Sequence, residues 1–245
     1  MYNLLKVEFY KLKHSKFFYI LIGLMFLQSL CVLIPLKENY LLKKTGESMF
    51  LQAFPLQEFL INTLLIGAFS YFVTKEFQSG YVKNLIASGH RRINIVLSKA
   101  IVFCIGVAVI SFIFPICTLV INTITNGYGG EYSLVYIFKL SIVMIIMYFA
   151  MGSIGILFSF VTKNVGAVIV IFYLMDIANR FGTAMSLNND TVKYYYSKTI
   201  FDIPGRFADG KLSSGTIFEL IFICLVTLIV CVTLSTLALR KVDIK

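Results

Sequence analysis

Of the chain's 245 residues 58% are hydrophobic and 14% charged, and a mean hydropathy of +0.85 excludes a water-soluble domain of this length. It carries 22 Lys and Arg against 12 Asp and Glu, a net charge of +10. In so apolar a chain that excess belongs to segments that flank membrane spans and meet anionic headgroups, so no nucleic-acid partner is needed to explain it.

Residues Tyr2, Leu5, Phe9 and Leu12 recur at i, i+3, i+7 and i+10 with Lys6, Lys11 and Lys13 between them. The spacing predicts a basic amphipathic helix over residues 1–16, lying in the membrane surface. A secretory signal peptide is the competing reading. Its charged region would be too long, its apolar core is nearer span length, and no small-residue cleavage site follows Leu36, so Phe17–Leu36 reads as a retained first span. Apolar windows follow at Leu56–Thr74, Ala100–Asn122, Leu140–Val161, Val165–Ile177 and Thr216–Leu239. No ten-residue alternating strands are visible, so the fold class is an all-α integral membrane protein of six transmembrane helices, a single domain over residues 1–245.

An external loop is expected from Lys37 to Pro55, with Glu58 at the outer interface. The stretch 75–99, KEFQSGYVKNLIASGHRRINIVLSK, is the long polar interruption between the second and third spans. Phe77, Tyr81 and Leu85 recur at i, i+4 and i+8, which predicts one helix over Phe77–Ser88, with Gly89 as a left-handed cap and Arg91 and Arg92 following. A short helix with one apolar stripe, held at a membrane face, suits docking into a groove on a partner protein. It equally suits a plain interfacial connector.

Pro115 removes a helical hydrogen bond from the third span and is expected to kink it. In the fourth, Gly152, Gly155 and Ser159 make a small-residue face for close approach of another helix, from this chain or from a second subunit. The short turn Thr162–Asn164 makes the fourth and fifth spans an antiparallel pair. Asp176 is the carboxylate well inside an apolar window. The insertion balance places it near the outer end, paired with Arg180 one turn on, and the competing role is a buried substrate-contacting or proton-carrying site. The segment 182–215, with Tyr194, Tyr195, Tyr196, Phe201 and Phe207, is expected to return to the outer surface as a re-entrant element. Arg240 and Lys241 anchor the last span.

With six spans both termini share a face. That face holds thirteen Lys and Arg against three acids, including Lys83 in the 75–99 loop, and the opposite face nine against nine. The positive-inside rule therefore makes both termini cytoplasmic in a cell membrane.

The string GRFADGKL, 205–212, fails as a phosphate-binding loop, because Leu212 stands where a metal-binding hydroxyl is needed and no strand precedes it. His14 and His90 lack carboxylate partners, and the five cysteines lie in apolar runs without a CxxC pair, so no metal site or catalytic constellation is expected in this chain.

The whole chain resembles the permease subunits of ABC-2 type exporters, and among them the six-span permeases of bacitracin and lantibiotic resistance systems. The opening LLKVEFYKLKHSKFFYILIGLMFL is similar to their amphipathic connecting helix and first span. In the loop, Glu76, Gly80, Leu85, Arg91 and Lys99 match a recurring Glu, Gly, Leu, Arg and Lys. The resemblance implies that the loop is a coupling helix docked on a separate ATPase, which binds ATP and magnesium. It also implies a permease dimer, homo- or heterodimeric, and short re-entrant helices before the last span. The implied function is export of amphipathic antimicrobial peptides taken from the lipid, with lipid or drug export as the alternative. A membrane-integral processing protease and an ion-driven secondary transporter are the readings from other classes. The first lacks paired Asp, HExxH or Ser and His sets, and the second lacks buried ion ligands.

Overall fold

A computed structural model describes residues 1–33, 44–57, 59–208 and 212–240, and every regular element among them is helical. The helices of the first half are α1 (Tyr2–Lys13), α2 (Lys16–Leu33), α3 (Gly46–Leu56), α4 (Phe59–Phe69), α5 (Tyr71–Gln78) and α6 (Tyr81–Ala87). Those of the second are α7 (Arg92–Asn126), α8 (Leu134–Thr162), α9 (Val165–Ser186), α10 (Asp190–Tyr196), α11 (Ile203–Ala208) and α12 (Ser214–Arg240). Among the described residues α7, α8, α9 and α12 are each long and apolar enough to cross a membrane, and a fifth crossing results if α1 and α2, bent by 56° at their junction, are one span. The expected positions of Glu58 and Lys241 lie outside the described residues.

The centre of the bundle is the antiparallel pair α7 and α8, with α12 packed along α8. Close approach is written in the small residues. A Cβ on Gly152 would stand 3.2 Å from the Cys104 Cα, and one on Gly155 would stand 3.1 Å from the Phe103 ring. Gly152 and Gly155 are therefore approached by α7 of the same chain, while the Ser159 hydroxyl donates to the Gly155 carbonyl within α8 at 2.6 Å. Gly106 of α7 makes room for the buried Phe69, which also meets Phe103 at 4.8 Å and Phe18 at 6.0 Å between ring centres. Lys163, in the left-handed region, ends α8, and the Asn164 side chain accepts from Gly166 N at 2.8 Å to start α9. The expected tight reversal follows.

The region before the 75–99 loop differs from its expected form. Residues 46–56 are helical rather than loop, and α3 lies against the C-terminal half of α7, from Gly46 beside Thr123 to Gln57 beside Ser111. Helix resumes at Phe59, and α4 continues into α5 through Ser70, whose backbone stays right-handed helical. The interruption falls after Pro55 and is matched across the interface. Pro115 lacks the N–H that would bond the Ser111 carbonyl one turn back. The Gln57 Nε2 donates to that carbonyl at 2.7 Å instead, and the Gln57 Oε1 accepts from the Tyr148 hydroxyl at 2.7 Å. So compensated, α7 runs unbroken through the proline.

At the start of α3 the buried Glu47 clasps the α7–α8 loop. Its Oε1 accepts from Gly130 N at 2.9 Å and Glu131 N at 2.8 Å, and its Oε2 from Tyr132 N at 3.0 Å. These charge-assisted bonds add to two backbone bonds, Gly46 N to the Gly127 carbonyl at 3.0 Å and Glu47 N to the Tyr128 carbonyl at 3.1 Å, in fixing a loop whose glycines adopt positive-φ conformations. Glu47→Ala should cost about 2 kcal/mol, and Glu47→Gln less because one oxygen still accepts. Thermal unfolding of the purified variants measures both, and an unchanged midpoint for Glu47→Ala would refute the clasp.

Candidate functional site

On α1 the residues turned inward are Leu4, Glu8 and Leu12, at i, i+4 and i+8. The acid in that row is 1% exposed. From α7 comes Lys99, also 1% exposed, on the same inward face as Ile95 and Val96, and from α5 comes Glu76 beside Val73 and Thr74. Lys99 Nζ donates to Glu8 Oε1 at 2.9 Å and to Glu76 Oε2. Lys11 Nζ donates to Glu8 Oε1 at 3.2 Å and to Glu76 Oε1 at 2.6 Å, and stands 3.7 Å from the centre of the Tyr81 ring. Two lysines and two glutamates thus close a neutral square that joins three helices. Each buried charge costs several kcal/mol of desolvation, which only a complete set of partners offsets, so the square fixes one relative placement of α1, α5 and α7.

The loop residues sit around this square. The expected single helix over Phe77–Ser88 is instead two, because Gly80 adopts a left-handed conformation (φ 73°) that ends α5 and starts α6 at an angle. Gly89 closes α6 as expected, with φ 85°, Gly89 N donating to the Ile86 carbonyl at 3.0 Å and His90 N to the Leu85 carbonyl at 3.3 Å. The stripe Phe77, Tyr81 and Leu85 turns toward the body. Phe77 meets Phe160 edge-on at 5.0 Å, Tyr81 covers Lys11, and Leu85 packs on the buried core. The face left outward carries Lys83, Asn84, Ser88 and Arg91. Arg92 turns away from it, donating to the Leu239 carbonyl at 2.9 Å and the Arg240 carbonyl at 2.5 Å, and so caps α12.

Of the stripe read on α1, Leu12 is buried and Leu5 half-buried, while Tyr2 and Phe9 are exposed. Glu8, Lys11 and the pairing of Lys99 were not legible as a site from pattern. The available signal was an acid set between Leu4 and Leu12 on an apolar helix face.

Asp176 and Arg180 are brought together, Arg180 Nε donating to Asp176 Oδ2 at 2.9 Å. The helix that carries them is longer than its apolar window. Helix α9 continues to Ser186 rather than stopping near Ile177, which puts the buried Asp176 at the middle of its 22 residues. Segment 182–215 holds the end of α9, then α10 and α11, and the start of α12. Lys198 pairs with Glu219 at 2.5 Å and Arg206 with Asp202 at 2.7 Å. The Tyr196 hydroxyl donates to Asn179 Oδ1 at 2.5 Å, and burial pushes its phenol above the ordinary range. Among the described residues no three His, Cys, Asp or Glu side chains gather as a metal site.

The model of a family described as ABC-2 family transporter protein matches residues 4–179. No curated protein and no solved structure matches the chain. The matched segment includes the square, both helices of the 75–99 loop and the α7–α8 pair. Since it covers more than half of an all-helical chain with at least four membrane-crossing helices, the protein belongs to the ABC-2 family of membrane transporters.

Proposed function

We propose that this chain is the permease subunit of an ATP-driven exporter, worked by a separate ATPase that holds ATP and magnesium and docks on the outward face of α5 and α6. The observation that carries this is the buried square of Glu8, Lys11, Glu76 and Lys99. A push on the loop would reach α1 and α7 through charges that cannot part cheaply, and so tilt the bundle as a body. In this reading α3, α4 and α5 form the remaining crossing, giving six in all. Both termini and the 75–99 loop then face the cytoplasm, α1 lies along the inner membrane surface with Tyr2 and Phe9 toward lipid, and the segment 182–215 lies outside. Two permeases pair, identical or not, in the plasma membrane. The substrate is an amphipathic antimicrobial peptide. Among the described residues buried charge is confined to the square, Asp176 and the loop-clasping Glu47, which leaves little to bind a strongly hydrophilic solute.

Three measurements test it. A cysteine at Ser79 should be shielded from impermeant reagents added to whole cells and one at Ser213 should label, whereas the reverse pattern inverts the topology. Lys83→Glu with Arg91→Glu should lower co-purification of the ATPase about tenfold or more while leaving the permease folded, since charge reversal at a docking surface costs more than 1.4 kcal/mol. Undiminished capture would remove docking from that face. With the ATPase co-expressed and hydrolysing, cells should survive and retain less peptide across a panel of cationic peptides and bacitracin. Unchanged survival for every member favours lipid or drug export.

A further inference from the structure

Beside the square, between α1 and α5, opens a cavity of about 440 Å³ that the coupling role does not use. Its walls change character along α5. Tyr71 and Phe72 line one end, Lys75 stands one turn further along, and Ser79 a turn beyond that; Lys11 and His14 close the side formed by α1. At 1.5 Å per residue the aromatic floor and the basic mouth are about 6 Å apart along the axis, the offset between the first acyl carbons and the phosphate of a phospholipid. Floor and mouth are both preset. Tyr71 is braced edge-on by Phe17 of α2 at 5.5 Å, while Lys11 is held by Glu8 and Glu76. Because the square is neutral, Lys75 is an uncompensated cation at the mouth, with the ring of Tyr71 5.6 Å from its Nζ. Tyr19 and Ile20, exposed on the adjoining turn of α2, continue the apolar surface away from the cavity.

We infer that this cavity holds the phosphate headgroup of an anionic phospholipid, wedged between α1 and α5 with its chains along Tyr71 and Phe17. A protein side chain would need only the mouth, whereas a lipid accounts for both the basic mouth and the aromatic floor. Bound there, the lipid bridges the two helices that the square also joins, so the charge of the inner leaflet would bear on how firmly the loop is tied to the bundle. The inference rests on the reading that this end of the bundle lies at the membrane surface, which the Ser79 labelling tests without reference to lipid.

The test titrates the full chain, purified in detergent, with dioleoylphosphatidylglycerol or dioleoylphosphatidylcholine and counts retained lipid by native mass spectrometry. One uncompensated cation near a phosphate, worth about 1 kcal/mol, predicts about fivefold tighter retention of one phosphatidylglycerol. His14→Gln with Lys75→Gln should remove that preference, and Ser79→Trp, which fills the mouth and leaves every charge, should do the same. Lys6→Gln with Lys13→Gln, on α1 but away from the cavity, should retain it. Equal retention by all variants overturns the site. So does displacement of the lipid by inorganic phosphate at equal concentration, which would mark an ion site, or loss of ATPase capture in His14→Gln/Lys75→Gln with lipid retention unchanged, which would give the cavity to the partner protein.

Discussion

Lys99→Met is expected to lower the stability of the permease by about 3–5 kcal/mol, because the two glutamates it bridges would stay buried with Lys11 as their remaining cation. Methionine keeps most of the volume and the straight stem, so the loss reports charge rather than a cavity. The result should be a large fall in the thermal midpoint or in the folded fraction recovered from membranes. The triple variant Glu8→Gln, Glu76→Gln, Lys99→Met should regain most of the loss, since neutral amides of the same shape hydrogen-bond without demanding a cation. A Lys99→Met protein as stable as the parent would mean that the square contributes nothing to the fold and that force from the loop must travel by another route. If the triple variant is stable but hydrolyses ATP without transport, the charges themselves serve coupling.

The second large effect is expected at Gln57→Leu, which withdraws the donor to the Ser111 carbonyl and the acceptor of the Tyr148 hydroxyl in the middle of the bundle. Each bond removed from a buried polar group costs about 1–3 kcal/mol, so the variant should be destabilised by about 2–5 kcal/mol. The assignment to Pro115 makes a sharper claim. Pro115→Ala supplies an N–H of α7 to the Ser111 carbonyl, so Gln57→Leu should cost measurably less in that background. A double-mutant cycle reads the coupling directly, and strictly additive effects would show that the glutamine and the proline are independent.

Much of this architecture was legible from hydropathy and punctuation. The apolar windows gave the positions of α2, α7, α8 and α12, Gly89 gave the end of α6, and the i, i+4 spacing gave the Asp176–Arg180 pair, because each depends on residues near in sequence. What was not legible depends on partners far away. The helical character of residues 46–56 is supported by α7 and by the clasp of Glu47 on a loop more than eighty residues downstream. The length of α9 was not legible because the polar residues Asn179, Arg180 and Thr183 looked like the end of a helix. They are carried instead on a helix whose neighbours, α4 and α10, supply partners such as Tyr196. The stripe of Phe77, Tyr81 and Leu85 was correct as a periodicity. Which way it faced was decided by Phe160 and the core, and no local pattern contains that.

The division of residues 46–78 among α3, α4 and α5 bears on the order in which the protein is assembled. Helix α3 has 11 residues, and the apolar part of the continuous α4–α5 helix, residues 59–74, is shorter than the ~20 residues that hold a helix in a bilayer unaided. The polar Gln57 is buried at the break between α3 and α4, and it bonds to Ser111 and Tyr148, which are synthesised later. This stretch is therefore expected to insert poorly on its own and to settle once α7 and α8 supply the partners of Gln57. A chain truncated after the 75–99 loop should leave that loop on either side of the membrane, and one that continues through α8 should place it on one.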